Sequence, residues 1–146
     1  MLSLLSRSAI KMAKPTTFQN MMAIRHFAIV SKFTKSHEWI TFDTDTGLAK
    51  IGITDHAQHE LGDIVHVDLP EIGNKYEKLD TIIAVESVKT AADVYCMVDG
   101  EVVAVNENLH DDSSLVNSSA QENGWMVEIK VTKPSQLDAL LSHAEY

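Results

Sequence analysis

From about residue 37 onward, the hydrophobic positions fall into short runs of β-branched and aromatic residues. Gly, Asn, Asp and Ser separate these runs, and this alternation is typical of strands joined by turns. Short strands at such spacing predict a sandwich or a barrel that is mostly β. The predicted strands cover residues 39–42, 47–53, 64–67, 81–85, 94–98, 102–105 and 125–131.

Two segments depart from the strand pattern and predict helices. Thr54-Asp55 can cap a short internal helix, which Gly62 ends. A second, C-terminal helix is predicted over residues 134–146, where Pro134 is suited to a first turn and apolar residues recur at helical spacing. The apolar residues of this second helix are Leu137, Leu140, Leu141 and Ala144.

A short internal repeat links two of the predicted strands. Residues 62–68 and 100–106 share the order Gly, acid, β-branched residue, Val, any residue, Val, acid or amide. The copies are 38 residues apart, and Lys89 lies between them. Two equivalent strand units related by a pseudo-twofold axis place the connecting hairpin, and with it Lys89, at one extremity of the domain.

Charge divides the chain into two unequal parts. Half of the 12 basic residues precede Glu38, the first of the 21 acids. Residues 1–27 are basic, acid-free and rich in Ser, Thr and Met, which is typical of a mitochondrial transit peptide. The expected organisation is a transit peptide over residues 1–27 and one domain over residues 28–146 in the mitochondrial matrix. A disordered basic tail on a cytosolic protein is the alternative.

Composition also narrows the classes of partner. Without residues 1–27 the chain keeps 8 basic residues and all 21 acids, a formal charge of −13, so nucleic acid is not expected as a partner. No apolar run in the N-terminal segment is long enough to span a bilayer, so no membrane partner is expected. The single cysteine, Cys96, excludes an internal disulfide.

Lys89 is a charged residue whose role at this position needs an explanation. It lies in an otherwise uncharged run between Glu86 and Asp93, and the residues around it are small or short-branched, which suits an exposed turn. A lysine becomes a nucleophile when burial or a cationic neighbour removes its proton, whereas these two acids favour the charged form. The pattern therefore favours an attachment point for an acyl group over a catalytic amine. An ordinary solvated lysine is the alternative.

The run ESVKTAADVY at residues 86–95 resembles the lipoylation hairpin of the glycine cleavage system H-protein family. The resemblance extends over residues 34–146 and includes several uncommon blocks in the same order. These blocks are SHEW at 36–39, GITDHAQ at 52–58, LGDIV at 61–65, LP at 69–70, GEV at 100–102, VN at 105–106, LVN at 115–117 and GW at 124–125.

The resemblance implies a flattened, two-sheet antiparallel barrel-sandwich hybrid of the lipoyl/biotinyl-carrier type. It also implies that Lys89 bears lipoate in amide linkage and that the protein is a carrier without catalytic residues of its own. In that family the arm takes an aminomethyl group from the P-protein (glycine decarboxylase) to the T-protein (aminomethyltransferase), and electrons to the L-protein (dihydrolipoamide dehydrogenase). A lipoyl-loading enzyme is a further implied partner.

Similarity to the family's arm-docking cleft points to Ser36, Glu38 and Asp93. Of these, Glu38 is the first choice for holding the ammonium of the cargo, because a carboxylate beside a cleft keeps an amine protonated. The alternative is that Glu38 and Asp93 are solvated surface acids. No metal site is expected, since one exposed helix face explains His56 and His59 better than a metal pair does.

The chain departs from the family pattern at two places. Cys96-Met97 replaces the Ser-Pro of many relatives, which predicts a small buried cysteine or, less simply, a thiol able to form a mixed disulfide with the arm. Glu60 occupies a position where some relatives carry histidine. Three other functions stay open at this point: a lipoyl domain serving a 2-oxo acid dehydrogenase, a lipoyl donor to other acceptors, and an unmodified structural β-sandwich module.

Overall fold

The computed structural model describes residues 29–146, so the predicted transit peptide over residues 1–27 lies outside the described residues. Within the described part of the chain, nine strands form two antiparallel sheets. The strands are β1 (Ile29–Phe33), β2 (Glu38–Asp43), β3 (Leu48–Ile53), β4 (Ile64–Asp68), β5 (Lys75–Tyr76), β6 (Thr81–Ser87), β7 (Ala91–Tyr95), β8 (Gly100–Val105) and β9 (Val127–Val131).

The two sheets differ in size. The larger has the order β1-β2-β3-β9-β8-β5, and the smaller has the order β4-β6-β7. Each named pair is antiparallel, as the resemblance implies, so the predicted two-sheet, mostly β fold is confirmed. Strands of both sheets contribute to one hydrophobic cluster, in which a fully buried aliphatic side chain contributes about 1.5–3 kcal/mol. Among its fully buried members are Ile40, Ile51, Ile83, Met126 and Ile129.

The internal helix confirms the predicted caps. Helix α1 spans Asp55–Leu61, and the Thr54 hydroxyl accepts a hydrogen bond from the Ala57 N–H at 3.2 Å. The helix ends at Gly62, whose φ of 81° lies in the left-handed region that favours glycine. Two further single-turn helices are α2 (Asn108–Asp111) and α3 (Leu115–Ser118). No helix within residues 29–146 is long and apolar enough to cross a bilayer.

The C-terminal helix is shorter than the predicted 134–146. A 3₁₀ helix covers Pro134–Ala139, after which Leu140 is extended with φ −87° and ψ 161°. Leu141 and Phe33 then exchange two backbone hydrogen bonds, of 2.8 and 2.9 Å. Leu141 therefore pairs with β1 because that strand's free edge offers backbone partners that a continued helix would forgo.

Strand pairing also explains the remaining differences between the predicted and the observed strands. Strands β1 and β5 are not among the predicted strands, and the run predicted at 94–98 is replaced by β7 at Ala91–Tyr95. β7 pairs with β6 from Glu86↔Ala91 to Thr81↔Tyr95, so the hairpin register sets its limits. Residues 96–98 instead turn inward and are buried.

The two copies of the internal repeat share a local irregularity. The register of β4 shifts between Ile64 and His66, and the register of β8 shifts between Val102 and Ala104. These are equivalent positions in the two copies, so each strand carries a bulge at the same step. β4 and β8 lie in different sheets, and this arrangement supports two equivalent strand units; the pseudo-twofold axis itself stays a prediction.

Cys96 follows β7 directly and is fully buried. Its Sγ donates a hydrogen bond to the Val98 carbonyl at 3.0 Å. Burial raises the pKa of the thiol to about 11, and the nearby acids Asp80, Asp99 and Glu38 act in the same direction. The buried-cysteine interpretation is therefore confirmed, and a mixed disulfide with an arm outside the core is not accessible to this thiol.

The buried thiol predicts a pH dependence of stability. An unfolded cysteine loses its proton near pH ~8.5, whereas the folded state keeps it up to about pH 11. Between these values the unfolded state is favoured progressively as pH rises. We expect the unfolding free energy to fall more steeply over this window in the unaltered chain than in Cys96→Ala, as measured by urea denaturation at each pH. Rapid thiol labelling of the native protein at pH 8, compared with the same protein in denaturant, would contradict the buried state.

Candidate functional site

The predicted hairpin is confirmed, and Lys89 lies in the turn between β6 and β7. The turn is closed by Ser87, whose N–H donates to the Thr90 carbonyl at 2.8 Å. The Ser87 Oγ also accepts hydrogen bonds from the backbone N–H groups of Lys89 and Thr90, at 3.2 and 3.1 Å. One serine thus satisfies the turn's donors with its own side chain, as small hydroxyl residues do in turns.

A further backbone contact fastens this turn to the rest of the smaller sheet. The Val88 N–H donates to the Asp63 carbonyl at 3.0 Å, immediately before β4. The tip is therefore held from two directions, across the hairpin and toward the end of α1. A turn held in this way presents its exposed side chain at a fixed place on the surface.

The Lys89 side chain is exposed and lies over Gly62. A Cβ added at Gly62 would approach the lysine Cε to 3.0 Å and Nζ to 3.8 Å. The positive φ favours glycine here, whereas the flexible end of the lysine could shift slightly to accept a Cβ. Within residues 29–146 Lys89 forms no ion pair, so neither Glu86 nor Asp93 binds its amine directly.

Asn117 of α3 holds in place the backbone beneath Lys89. This backbone, which runs from Gly62 to Ile64, is called the platform. Its Oδ1 accepts from the Ile64 N–H at 2.9 Å. Its Nδ2 donates to the Gly62 carbonyl and to the Gln58 Oε1, both at 2.9 Å. One amide therefore fixes the end of α1 against the start of β4. The sequence does not predict Asn117 as a site residue, and its only signal is its place in the LVN block.

A cleft of about 310 Å³ lies beside this platform. Ser36, Glu38 and Asp93, the three predicted cleft residues, all line it. Leu61, which precedes Gly62, lines the same cleft, so the lysine lies next to the end of the helix that forms one wall. The apolar part of the lining includes Ile53, Val85, Ala92 and Val94.

Glu38 is buried, with only 3% of its surface exposed. Its Oε1 accepts from the hydroxyls of Thr34 and Ser36, each at 2.7 Å. Its Oε2 accepts from the Tyr95 backbone N–H, also at 2.7 Å. The alternative of a solvated surface acid is therefore wrong for Glu38, whereas Asp93 is exposed at the same cleft. The sequence gives no signal for the Tyr95 contact, which joins β2 of the larger sheet to β7 of the smaller.

His37 also lines the cleft, although the sequence does not predict it as a site residue. Its φ of 70° is in the left-handed region, and its carbonyl accepts from the Thr54 N–H at 2.9 Å. Its Nδ1 lies 2.7 Å from the hydroxyl of the last residue, Tyr146, and that hydroxyl lies 2.8 Å from the Thr54 Oγ1. These contacts fix the segment before β2 against the start of α1.

A larger groove of about 620 Å³ lies between β5, β8 and β9. Its lining mixes acidic and basic side chains, including Lys75, Asp80 and Lys130. None of the predicted site residues lines it. Size alone therefore does not identify the functional cleft, and the smaller cleft beside Lys89 is the better candidate.

Comparison with known families identifies the kind of protein to which the Lys89 turn and its cleft belong. The family model described as Glycine cleavage H-protein matches residues 31–146. The chain belongs to this family. H proteins are the carrier component of the glycine cleavage system and work with its enzymes, so the predicted carrier role and the absence of catalysis are confirmed. The family assignment also disfavours a 2-oxo acid dehydrogenase domain and an unmodified structural module.

Individual H proteins show the same similarity. The chain is 48% identical to the glycine cleavage system H protein of Vibrio campbellii over 115 residues, covering 79% of this chain and 90% of that protein. It is 49% identical to the H protein of Vibrio vulnificus over the same length. The crystal structure of the H protein from Mycobacterium marinum superposes with a TM-score of 0.73 at 32% identity, covering 80% of this chain and 92% of that chain.

These relatives correct one prediction. The similar H proteins come from Vibrio species, which are bacteria and have no mitochondria. The prediction of a mitochondrial matrix location is therefore wrong. The basic, acid-free composition of residues 1–27 suggested an import signal, but composition alone does not show that an import machinery reads it.

The Asn117 contacts predict the effect of removing its amide. Asn117→Ala leaves the Gly62 carbonyl and the Ile64 N–H without their partners, and we expect a loss of about 1–3 kcal/mol in unfolding free energy. Asn117→Asp keeps an acceptor for Ile64 but turns a carboxylate oxygen toward two acceptors, the Gly62 carbonyl and the Gln58 Oε1, so it should lose at least as much. Ser118→Ala, at the exposed neighbouring position, is the matched control and should change stability little. Chemical denaturation measures these values, and equal stability of all three variants would show that the platform does not depend on Asn117.

Proposed function

We propose that Lys89 carries lipoate in amide linkage and that this chain shuttles an aminomethyl group within the glycine cleavage system. The observation that carries the proposal is an exposed lysine, fixed at the tip of a hairpin, beside a cleft lined by three acids, in an H-protein chain. A fixed backbone with a free side chain suits a residue that an enzyme must reach and modify.

The residues around Lys89 fit a covalently attached arm. Acylation converts a charged ammonium into a neutral amide, and the exposed Lys89 loses no ion pair within the described residues when this happens. Gly62 leaves room for the lysine methylene groups, because any Cβ there would contact Cε at 3.0 Å. When bound, lipoate supplies a dithiolane that accepts the one-carbon cargo and the electrons. The chain itself supplies tethering, placement and shelter.

We propose that the cleft lined by Ser36, Glu38 and Asp93 receives the end of the arm. A carboxylate offers about four lone-pair sites, and three donors already occupy three of those on Glu38. Oε2 keeps one acceptor position, with which Glu38 can hold the cargo's ammonium. Asp93 adds a second negative charge at the exposed side of the cleft, and both charges favour a protonated amine.

The proposed partners are the P-protein (glycine decarboxylase), the T-protein (aminomethyltransferase), the L-protein (dihydrolipoamide dehydrogenase) and a lipoyl-loading enzyme. The formal net charge of −9 supports partners that present basic surfaces around their active-site entrances. Because the arm stays attached, its successive visits to these enzymes need no release into solution. We propose that the carrier domain occupies residues 28–146, and the family match from residue 31 supports this extent.

Substitution of Lys89 tests the attachment site. Lys89→Arg keeps the positive charge but offers no amine that forms the lipoyl amide, so we expect no lipoyl mass on the purified protein and no glycine oxidation with purified P-, T- and L-proteins. Lys75→Arg, at another exposed lysine, is the control and should be loaded normally. Intact-mass spectrometry measures the loading. A lipoyl group on the Lys89→Arg protein would overturn the proposal.

Two matched substitutions test the cleft. Glu38→Gln should leave Lys89 lipoylated but shorten the time that the aminomethyl cargo survives on the protein, and should cost about 1.5–3 kcal/mol in stability because a charged acceptor of three hydrogen bonds is lost. Asp93→Asn, at an exposed position, should shorten the survival of the cargo while changing stability by no more than about 0.5 kcal/mol. Mass spectrometry over time follows the cargo. Unchanged survival in both variants would remove the proposed role of the cleft.

A further inference from the structure

We propose that His37, His56 and Glu60 form a binding site for a divalent metal ion of the zinc type. One ligating atom from each of these residues lies within 4.8 Å of the other two. The His56 Nε2 and the Glu60 Oε1 are 3.1 Å apart, and the rings of His37 and His56 have centroids 4.3 Å apart. The three side chains therefore converge on one point between α1 and the segment before β2.

The sequence does not reveal this cluster because its members come from two separate segments. His56 and Glu60 are one helical turn apart on α1, so they share a face. His37 arrives from a distant part of the chain, with a left-handed backbone that the Thr54 N–H contact holds in place. His59, the neighbouring histidine of α1, does not belong to the cluster.

The hydrogen-bond contacts of His37 resemble those that orient metal-binding histidines. Metal-ligating histidines use one ring nitrogen for the ion and donate the other N–H to an oxygen, which fixes the ring. The Nδ1 of His37 lies 2.7 Å from the Tyr146 hydroxyl, which in turn lies 2.8 Å from the Thr54 Oγ1. This pair of contacts leaves the Nε2 of His37 available as the metal ligand.

The chemistry of the three ligating side chains indicates which class of metal ion the site would bind. Two imidazole nitrogens and one carboxylate oxygen are the ligands of many zinc sites, with metal–ligand distances of about 2.0–2.2 Å. A tetrahedral ion then places its ligands about 3.4 Å apart, so the most distant pair in the cluster, at up to 4.8 Å, must close by rotation of side chains. His56 and Glu60 are 54% and 63% exposed, so solvent leaves room for their side chains to change rotamer. Three protein ligands leave a fourth position open.

Binding of an ion would join two walls of the cleft. His37 and Glu60 both line it, one from the segment before β2 and one from α1. A metal ion that bridges them opposes their separation, so it stabilises the folded state and restricts the width of the cleft. Glu60 lies two residues before Gly62 and lines the cleft proposed for the arm, so the binding test uses the chain without lipoate.

The test measures zinc binding to the full chain without lipoate, by isothermal titration in chelator-free buffer at neutral pH. We expect one ion per chain and a higher midpoint of thermal unfolding when zinc is present. Loss of a group that only orients a metal ligand weakens metal sites by about 10–100-fold, so His37→Ala, His56→Ala and Glu60→Gln, which remove ligands, should each weaken binding at least about tenfold. His59→Ala, on the same helix, is the matched control and should bind as the unaltered chain does.

Two further measurements keep the proposal testable if a variant folds poorly. Tyr146→Phe removes only the hydroxyl that fixes His37, and should weaken zinc binding while the ligands are unchanged. In the unaltered chain, zinc should shift the ring resonances of His37 and His56 in nuclear magnetic resonance spectra and leave those of His59 in place. Binding that His59→Ala weakens, binding that none of the three ligand variants weakens, or the absence of a stoichiometric ion would each overturn the proposal. None of these outcomes depends on lipoylation of Lys89.

Discussion

Three hydrogen bonds to the buried carboxylate of Glu38 hold the functional end of this protein together. Two of them come from hydroxyls in the segment that leads into β2, and the third comes from the Tyr95 N–H at the end of β7. The contact therefore spans the two sheets at the cleft. A buried charge with three donors is far more stable than one without them, so the position of β7 relative to β2 is tightly specified at this point.

The lysine turn depends on a second set of contacts, which involve the smaller sheet, the end of α1 and α3. Ser87 closes the turn, the Asp63 carbonyl receives the Val88 N–H, and Asn117 locks Gly62 under the lysine. The backbone of the tip is thereby fixed while the lysine side chain stays exposed. A carrier needs this combination, because the arm has to move while its anchor has to be recognised repeatedly by different enzymes.

Helix α1 connects these two regions and the proposed metal cluster. Gly62, directly after the helix, lies beneath Lys89, and Glu60 and Leu61 line the cleft. The exposed face of the helix carries His56 and Glu60. The proposed metal ion would bridge His37 and Glu60, which line the cleft from different segments.

The sequence by itself determined those features whose signals are local. Thr54 and Gly62 mark the two ends of α1, and the small residues around Lys89 specify the turn between β6 and β7. The motif blocks identified the family and, through it, the three cleft residues that the structure brings together. The composition of residues 1–27, in contrast, led to a wrong location, because composition describes a class of segment and not its recognition.

Only the tertiary structure determined which distant parts of the chain contact one another around those features. The Glu38 contact with Tyr95 joins residues 57 positions apart, and the His37 contact with Tyr146 joins residues 109 positions apart. The pairing of Leu141 with Phe33 likewise shortened the C-terminal helix. Hydrogen-bond partners at such separations leave no periodicity or capping signal in the sequence, since their proximity exists only after both sheets have packed.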